Sequence, residues 1–135
     1  MKFFESNKEK IYSISELANE LDISPRTIRF YEEKKLISPG RSPGNQRIYK
    51  TKDRSRIKWI LRGKRFGFSL NEISEMIGMA DVDMSEIDQI KKSMVFGQRK
   101  LFEIQEHKEE LFLLEQDLKL IMDRFKKRLK ELNKN

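Results

Sequence analysis

Ser24-Pro25-Arg26-Thr27-Ile28-Arg29-Phe30-Tyr31-Glu32-Glu33-Lys34-Lys35-Leu36 carries the signature of a helix built to read something outside the chain. Ser24 suits a helix N-cap, and Pro25 suits the first turn, where its missing N–H would be orphaned anyway. On the helical period Ile28 and one side of Tyr31 face a core, while Arg26, Thr27 and Phe30 face away. A helix that opens on Arg and Thr fits a DNA major groove, and its N-terminus also favours phosphate. Just upstream, Ile14-Ser15-Glu16-Leu17-Ala18-Asn19-Glu20-Leu21 has an apolar face of Ile14, Leu17, Ala18 and Leu21. Ser13 and Glu16 fit a capping box that fixes its start. Only Asp22-Ile23 separates the two segments. The pair reads as a helix-turn-helix with the second helix as the reader.

Working outward, Leu36-Ile37 runs into the turn-forming cluster Ser38-Pro39-Gly40-Arg41-Ser42-Pro43-Gly44-Asn45-Gln46, after which Arg47-Ile48-Tyr49 resumes an extended pattern. Two short apolar segments around a Pro/Gly loop predict a β-hairpin, a wing whose Arg41 and Arg47 would lie on the DNA backbone. Thr51 is placed to cap a third helix over Lys52–Phe66. Its Ile57, Ile60 and Leu61 face inward, Trp59 partly so, and Arg54, Arg56, Lys58, Arg62, Lys64 and Arg65 occupy the remaining surface. Gly67 ends that helix. Ser69-Leu70-Asn71-Glu72 is another capping box and opens a fourth helix through Ile73, Met76 and Ile77 to Gly78. Residues 1–10 are polar apart from Phe3-Phe4 and read as a flexible arm.

Charge placement supports the DNA reading. The chain has a net charge of +7. Residues 26–65 hold 14 Lys/Arg against Glu32, Glu33 and Asp53, a net of +11. Residues 66–90 hold six acids and no base. A basic block confined to the helix-turn-helix is the footprint of a polyanion partner. The absence of cysteine removes disulfides, thiolate metal sites and thiol redox sensing together. No signal peptide or membrane-spanning apolar run occurs, which assigns the chain to the cytoplasm with no membrane partner.

From about Ser85 to Leu132 there is no proline and a single glycine, Gly97. Ile90, Met94, Gly97, Leu101, Ile104, Lys108, Leu111, Glu115, Leu118, Met122, Phe125, Leu129 and Leu132 recur at three- and four-residue spacing, and ten of those thirteen are apolar. This is a coiled-coil seam with polar interruptions, too long to be buried against so small a head. Matching apolar ends in an antiparallel homodimer sets the twofold near Leu111, with Lys108 opposite Glu115. The dimer interface is thereby assigned to Leu101, Ile104, Lys108, Leu111, Glu115, Leu118, Met122 and Phe125.

Several of these segments together resemble the MerR family of bacterial transcription regulators. They are Ile14-Ser15-Glu16-Leu17-Ala18, Thr27-Ile28-Arg29-Phe30-Tyr31-Glu32, Leu36-Ile37 with Pro39 and Arg41, and Arg47-Ile48-Tyr49. Arg62-Gly63-Lys64-Arg65-Phe66-Gly67-Phe68-Ser69-Leu70-Asn71-Glu72-Ile73 resembles that family's second helix-turn-helix. The resemblance implies a mainly α fold: a winged helix-turn-helix head over residues 11–80, then a linker and an antiparallel coiled-coil helix over 81–135. It also implies binding to a palindromic promoter with an overlong spacer, which is distorted so that RNA polymerase can engage both promoter elements. Family DNA contacts carry over to Arg26, Thr27, Arg29, Phe30, Tyr31, Arg41, Arg47 and Tyr49, and Ser15, Asn45 and Lys64 are further candidates for DNA contact. Phe30 departs from the family's frequent second tyrosine and offers an apolar contact only. The run over 56–72 looks particularly like the short, cysteine-free members that regulate branched-chain amino-acid and fatty-acid breakdown.

No nucleophile–His–acid pattern, phosphate-cradling glycine loop or metal-ligand spacing is present, so neither an enzyme nor a cofactor is expected. His107, the one histidine, sits among Glu103, Glu106 and Glu110 on what reads as a solvated face, and Met76, Met79 and Met84 read as pliable packing. Two other functions fit the same features. One is an architectural DNA-bending or excision factor without an effector. The other is a coiled-coil adaptor whose basic head binds an acidic protein.

Overall fold

In the computed structural model, which describes residues 10–134, the chain divides into two units, one ending at Phe96 and the other starting at Gly97. The arm read over residues 1–10 lies outside the described residues except for Lys10, whose N–H donates to Thr51 Oγ1 at 3.0 Å.

The first unit begins with β1 (Ile11–Tyr12), α1 (Ile14–Leu21) and α2 (Pro25–Glu33). Ser13 and Glu16 form the capping box expected of them: Glu16 N donates to Ser13 Oγ at 3.1 Å and Ser13 N to Glu16 Oε1 at 2.9 Å. The chain reverses at Asp22, whose φ of 54° is tolerated because a short polar side chain can bond its own backbone. Ser24 then caps α2, its Oγ accepting from Thr27 N at 3.1 Å. Ile28 and Tyr31 are buried, as is Leu17 on the facing side of α1.

The wing departs from expectation in two respects. Leu36 and Ile37 are core residues, not a strand, and the hairpin pairs β2 (Gly40–Arg41) with β3 (Arg47–Lys50). A third strand, β1, also pairs antiparallel with β3, in the register Ile11↔Lys50 and Tyr12↔Tyr49. A two-residue strand has no readable period, which is why Ile11-Tyr12 gave no sequence signal.

Helix α3 (Thr51–Arg65) is capped differently from the sequence reading. Thr51 is its first residue, with its hydroxyl taken by Lys10. The cap comes from Asp53, whose Oδ2 accepts from Lys50 N at 2.9 Å, favourable at a helix N-terminus because an anion meets the positive end of the dipole. Ile57 and Ile60 are fully buried as expected. Arg56 is not on the surface: it is 3% exposed, with Nε donating to Leu36 O at 2.6 Å and Nη2 to Gly78 O at 2.6 Å. Gly67, at φ 88°, turns the chain into α4 (Leu70–Ile77), whose Ser69/Glu72 capping box forms as read.

Helices α3 and α4 meet at Gly63, where an added Cβ would lie 2.8 Å from Ile73 Cγ1 and 2.9 Å from its Cδ1. Gly63→Ala is therefore expected to destabilise the head by about 1–3 kcal/mol through overpacking. Ile73→Val in the same chain should recover part of that loss, as measured by chemical denaturation.

Helix α5 (Glu86–Asn133) is continuous. In the first unit its Gln89 and Phe96 are buried, with Phe96 edge-on to Phe68 at 6.2 Å. These contacts carry the first unit past residue 80, where the sequence placed the end of the head. In the second unit every described side chain from Leu101 onward is exposed, including Leu101, Ile104, Leu111, Leu118, Met122 and Phe125. Phe102, Leu113 and Leu120, outside the expected seam, are exposed as well.

Candidate nucleic-acid interface

Helix α2 presents the outward face that its sequence predicts. Arg26, Arg29 and Phe30 are exposed, and Thr27 is half-buried. The Thr27 hydroxyl lies 2.9 Å from Ser24 Oγ, so the cap that starts the helix also fixes this side chain. Phe30 is 41% exposed, with Lys34 Nζ 5.5 Å from its ring centroid in a cation–π contact. Beneath that face, Ile28 and Tyr31 lock the helix to the core, and burial pushes the Tyr31 hydroxyl pKa up. The arrangement leaves polar and cationic groups outward on a rigid base, as a DNA-reading helix requires.

The wing adds exposed Arg41 on β2 and exposed Asn45 at its tip. Asn45 has a φ of 61°, and its N–H donates to Ser42 O at 2.8 Å, closing the turn. Arg47 is not a free cation on this wing. Its Nε donates to both carboxylate oxygens of Glu32, at 2.9 and 3.2 Å, tying β3 to the last turn of α2. Tyr49 corrects the sequence reading more sharply. It is 0% exposed, and its hydroxyl is buried without a hydrogen-bond partner among the described residues, so it packs the core and presents nothing to a phosphate. Burial, and then the Glu32 carboxylate, push its pKa up.

Around this core, Ser15 at the start of α1 and Lys64 near the end of α3 are exposed. Arg54, half-buried on α3, holds Glu20 of α1 with Nη2 2.6 Å from Oε1, and that hydrogen bond lowers the Glu20 pKa. The basic character of α3 is therefore divided between surface cations, the Arg54–Glu20 clasp and the buried Arg56. Arg56 and Gln89 share an acceptor: Nη1 of Arg56 lies 3.4 Å from Ile77 O, and Gln89 Nε2 donates to the same oxygen at 2.9 Å. Burial lowers the Arg56 pKa, the direction expected of a desolvated cation. Sequence reading missed Glu32, Asp53 and Arg56. The helical period did carry a signal for Arg56, because it stands four residues before Ile60 and seven before Gly63.

Among the described residues no group of three or more His, Asp or Glu side chains is placed to hold a metal ion. No described helix is long and apolar enough to cross a membrane.

Two family profiles match the chain: "MerR HTH family regulatory protein" over residues 12–79 and "MerR, DNA binding" over residues 54–121. The chain belongs to the MerR family. It is accordingly a DNA-binding transcription regulator and not an enzyme. The HTH-type transcriptional regulator ZntR of Escherichia coli K12 is 31% identical over 114 residues, spanning 84% of this chain and 79% of ZntR. The mercuric resistance operon regulatory protein of Bacillus cereus is 37% identical over 73 residues, spanning 53% of this chain and 55% of that protein. Among solved structures, a MerR family transcriptional regulator from Bacillus cereus superposes with a TM-score of 0.55 at 29% identity, covering 76% of this chain and 75% of its own. HiNmlR, a MerR family regulator lacking the sensor domain and solved bound to promoter DNA, shares the fold. Its TM-score is 0.56 at 23% identity, covering 76% of each chain.

Proposed function

We propose that this MerR-family chain acts in the cytoplasm as a homodimer on a palindromic promoter operator. It distorts the spacer DNA so that RNA polymerase, a second partner on that promoter, can engage both elements. Each head lays α2 in a major groove. Arg26 and Thr27 stand near base edges, while Arg29, Arg41, Asn45, Arg47 and Lys64 meet the backbone, and Ser15 adds a contact at the start of α1. Phe30 contributes an apolar surface, and Tyr31 holds the reading helix in place. The observation that carries this reading is the outward face of α2, polar and cationic over an anchored base and flanked by the wing. HiNmlR, whose structure contains promoter DNA, supports the same docking.

Dimerisation rests on the second unit, whose apolar stripe is exposed among the described residues. A partner helix running antiparallel would cover it from Leu101 to Phe125 and set Lys108 opposite Glu115. Within one helix Glu115 pairs with Lys119, Nζ to Oε1 2.9 Å, an exposed pair that an interchain partner can replace at little cost. The domain division proposed is a DNA-binding head joined to a dimerisation helix.

Arg26 tests the base-reading role. Arg26→Ala should reduce discrimination between operator and random DNA by about 1–3 kcal/mol, since a good bidentate base contact contributes that much. Competition binding would measure it. Equal loss on both DNAs would move Arg26 from the bases to the backbone.

A further inference from the structure

We propose that Glu32 is a positioning residue for DNA binding: its carboxylate grips Arg47 by the Nε edge and aims the opposite, Nη edge of the guanidinium at a backbone phosphate. This rests on the reading of Arg47 as a phosphate contact and goes beyond it by assigning an acidic residue to a DNA-binding surface.

The geometry is one-sided. Arg47 Nε donates to Glu32 Oε2 at 2.9 Å and Oε1 at 3.2 Å, and neither Nη atom takes part in that grip. A guanidinium has donors along more than one edge, and the pair of Nη groups matches two phosphate oxygens bidentately. The side chains of Arg47 and Glu32 are 31% and 22% exposed, so the pair is partly sheltered yet open on one side. The buried ring of Tyr49 lies on the same face of β3 as Arg47, two residues along the strand. An unheld arginine surrenders several rotatable bonds when it binds, and one already fixed surrenders fewer. The clamp also joins the last turn of α2 to the wing, so the reading helix and the backbone contact move as one body.

The sign of the effect separates this from simple charge. A carboxylate that acts only through its charge repels phosphate, and shortening or removing it would leave binding unchanged or tighten it. A carboxylate that positions Arg47 strengthens binding, and withdrawing it weakens binding.

The experiment measures affinity for a defined random-sequence duplex over a range of salt, where phosphate contacts dominate. Arg47→Ala is expected to weaken binding about tenfold and flatten the log–log salt slope by about one unit. Glu32→Asp keeps the charge but draws the oxygens back by about one methylene, ~1.5 Å. It should weaken binding several-fold and flatten the slope in the same direction. Glu32→Gln keeps an acceptor for Nε while removing the charge, and should bind at least as tightly as the native chain. The double variant Glu32→Asp with Arg47→Ala should match Arg47→Ala alone. If Arg47→Ala weakens binding while Glu32→Asp leaves affinity and slope at native values, the positioning role is overturned. It is also overturned if Glu32→Asp weakens the Arg47→Ala protein by the same factor as the native one. If Arg47→Ala itself changes neither affinity nor slope, the phosphate contact at Arg47 is what fails.

Discussion

Arg56→Ala is expected to lower the melting temperature of the head by about 12 °C or more. The residue is 3% exposed, and its guanidinium links the carbonyls of Leu36, Ile77 and Gly78, the segments after α2 and at the end of α4. Removing the guanidinium leaves the Leu36 and Gly78 carbonyls without their Arg56 donors, and a buried polar group left unpaired costs about 1–3 kcal/mol. For a head of this size each kcal/mol shifts the midpoint by roughly 4–8 °C. Arg56→Lys should recover only a fraction, since an ammonium cannot span three acceptors as a planar fork does. Thermal unfolding followed by circular dichroism measures both. A shift of under about 3 °C for Arg56→Ala would show that the network contributes little to stability.

The same residue shows where the sequence was legible and where it was not. The helix-turn-helix, both Ser–Glu capping boxes and the Gly67 turn were readable because each is a local pattern with one geometry. Ile57 and Ile60 were readable as core because apolar residues at helical spacing have one place to go. Arg56 shares that face, but an arginine is ordinarily solvated, and only the carbonyls left at the ends of two other segments make a buried one favourable. Those acceptors come from distant parts of the chain, which no local pattern encodes. Glu32 was lost for a similar reason: its partner arrives from the wing fifteen residues later. Tyr49 erred in the opposite sense, since the resemblance carried a DNA contact over to it and β3 turns its hydroxyl inward. In the second unit periodicity defines the proposed seam, whereas Phe102, Leu113 and Leu120, just as exposed, fall outside it and no periodicity argument accounts for them.

Leu111→Asp should convert the protein to a monomer and reduce operator affinity at least about a hundredfold. Leu111 is 51% exposed in the single chain, and the proposed twofold passes near it, so one substitution sets two carboxylates against each other. Burying unpaired charges at such a contact costs several kcal/mol, and like charges add to it. Loss of the dimer also removes the avidity of two heads on one duplex, which accounts for 10²-fold or more. Sedimentation velocity and operator titration measure the two effects. A variant that stays dimeric would place the interface elsewhere on α5, and a monomer with native operator affinity would separate dimerisation from recognition.

Whether two identical heads read one operator about a twofold axis is decided by selecting binding sites from a pool of random duplexes with the purified full chain. The expected product is an inverted repeat whose two halves are equally enriched and whose separation matches two reading helices on one face of the DNA. Enrichment of a single, unrepeated half-site, of a direct repeat, or of no sequence at all would contradict it.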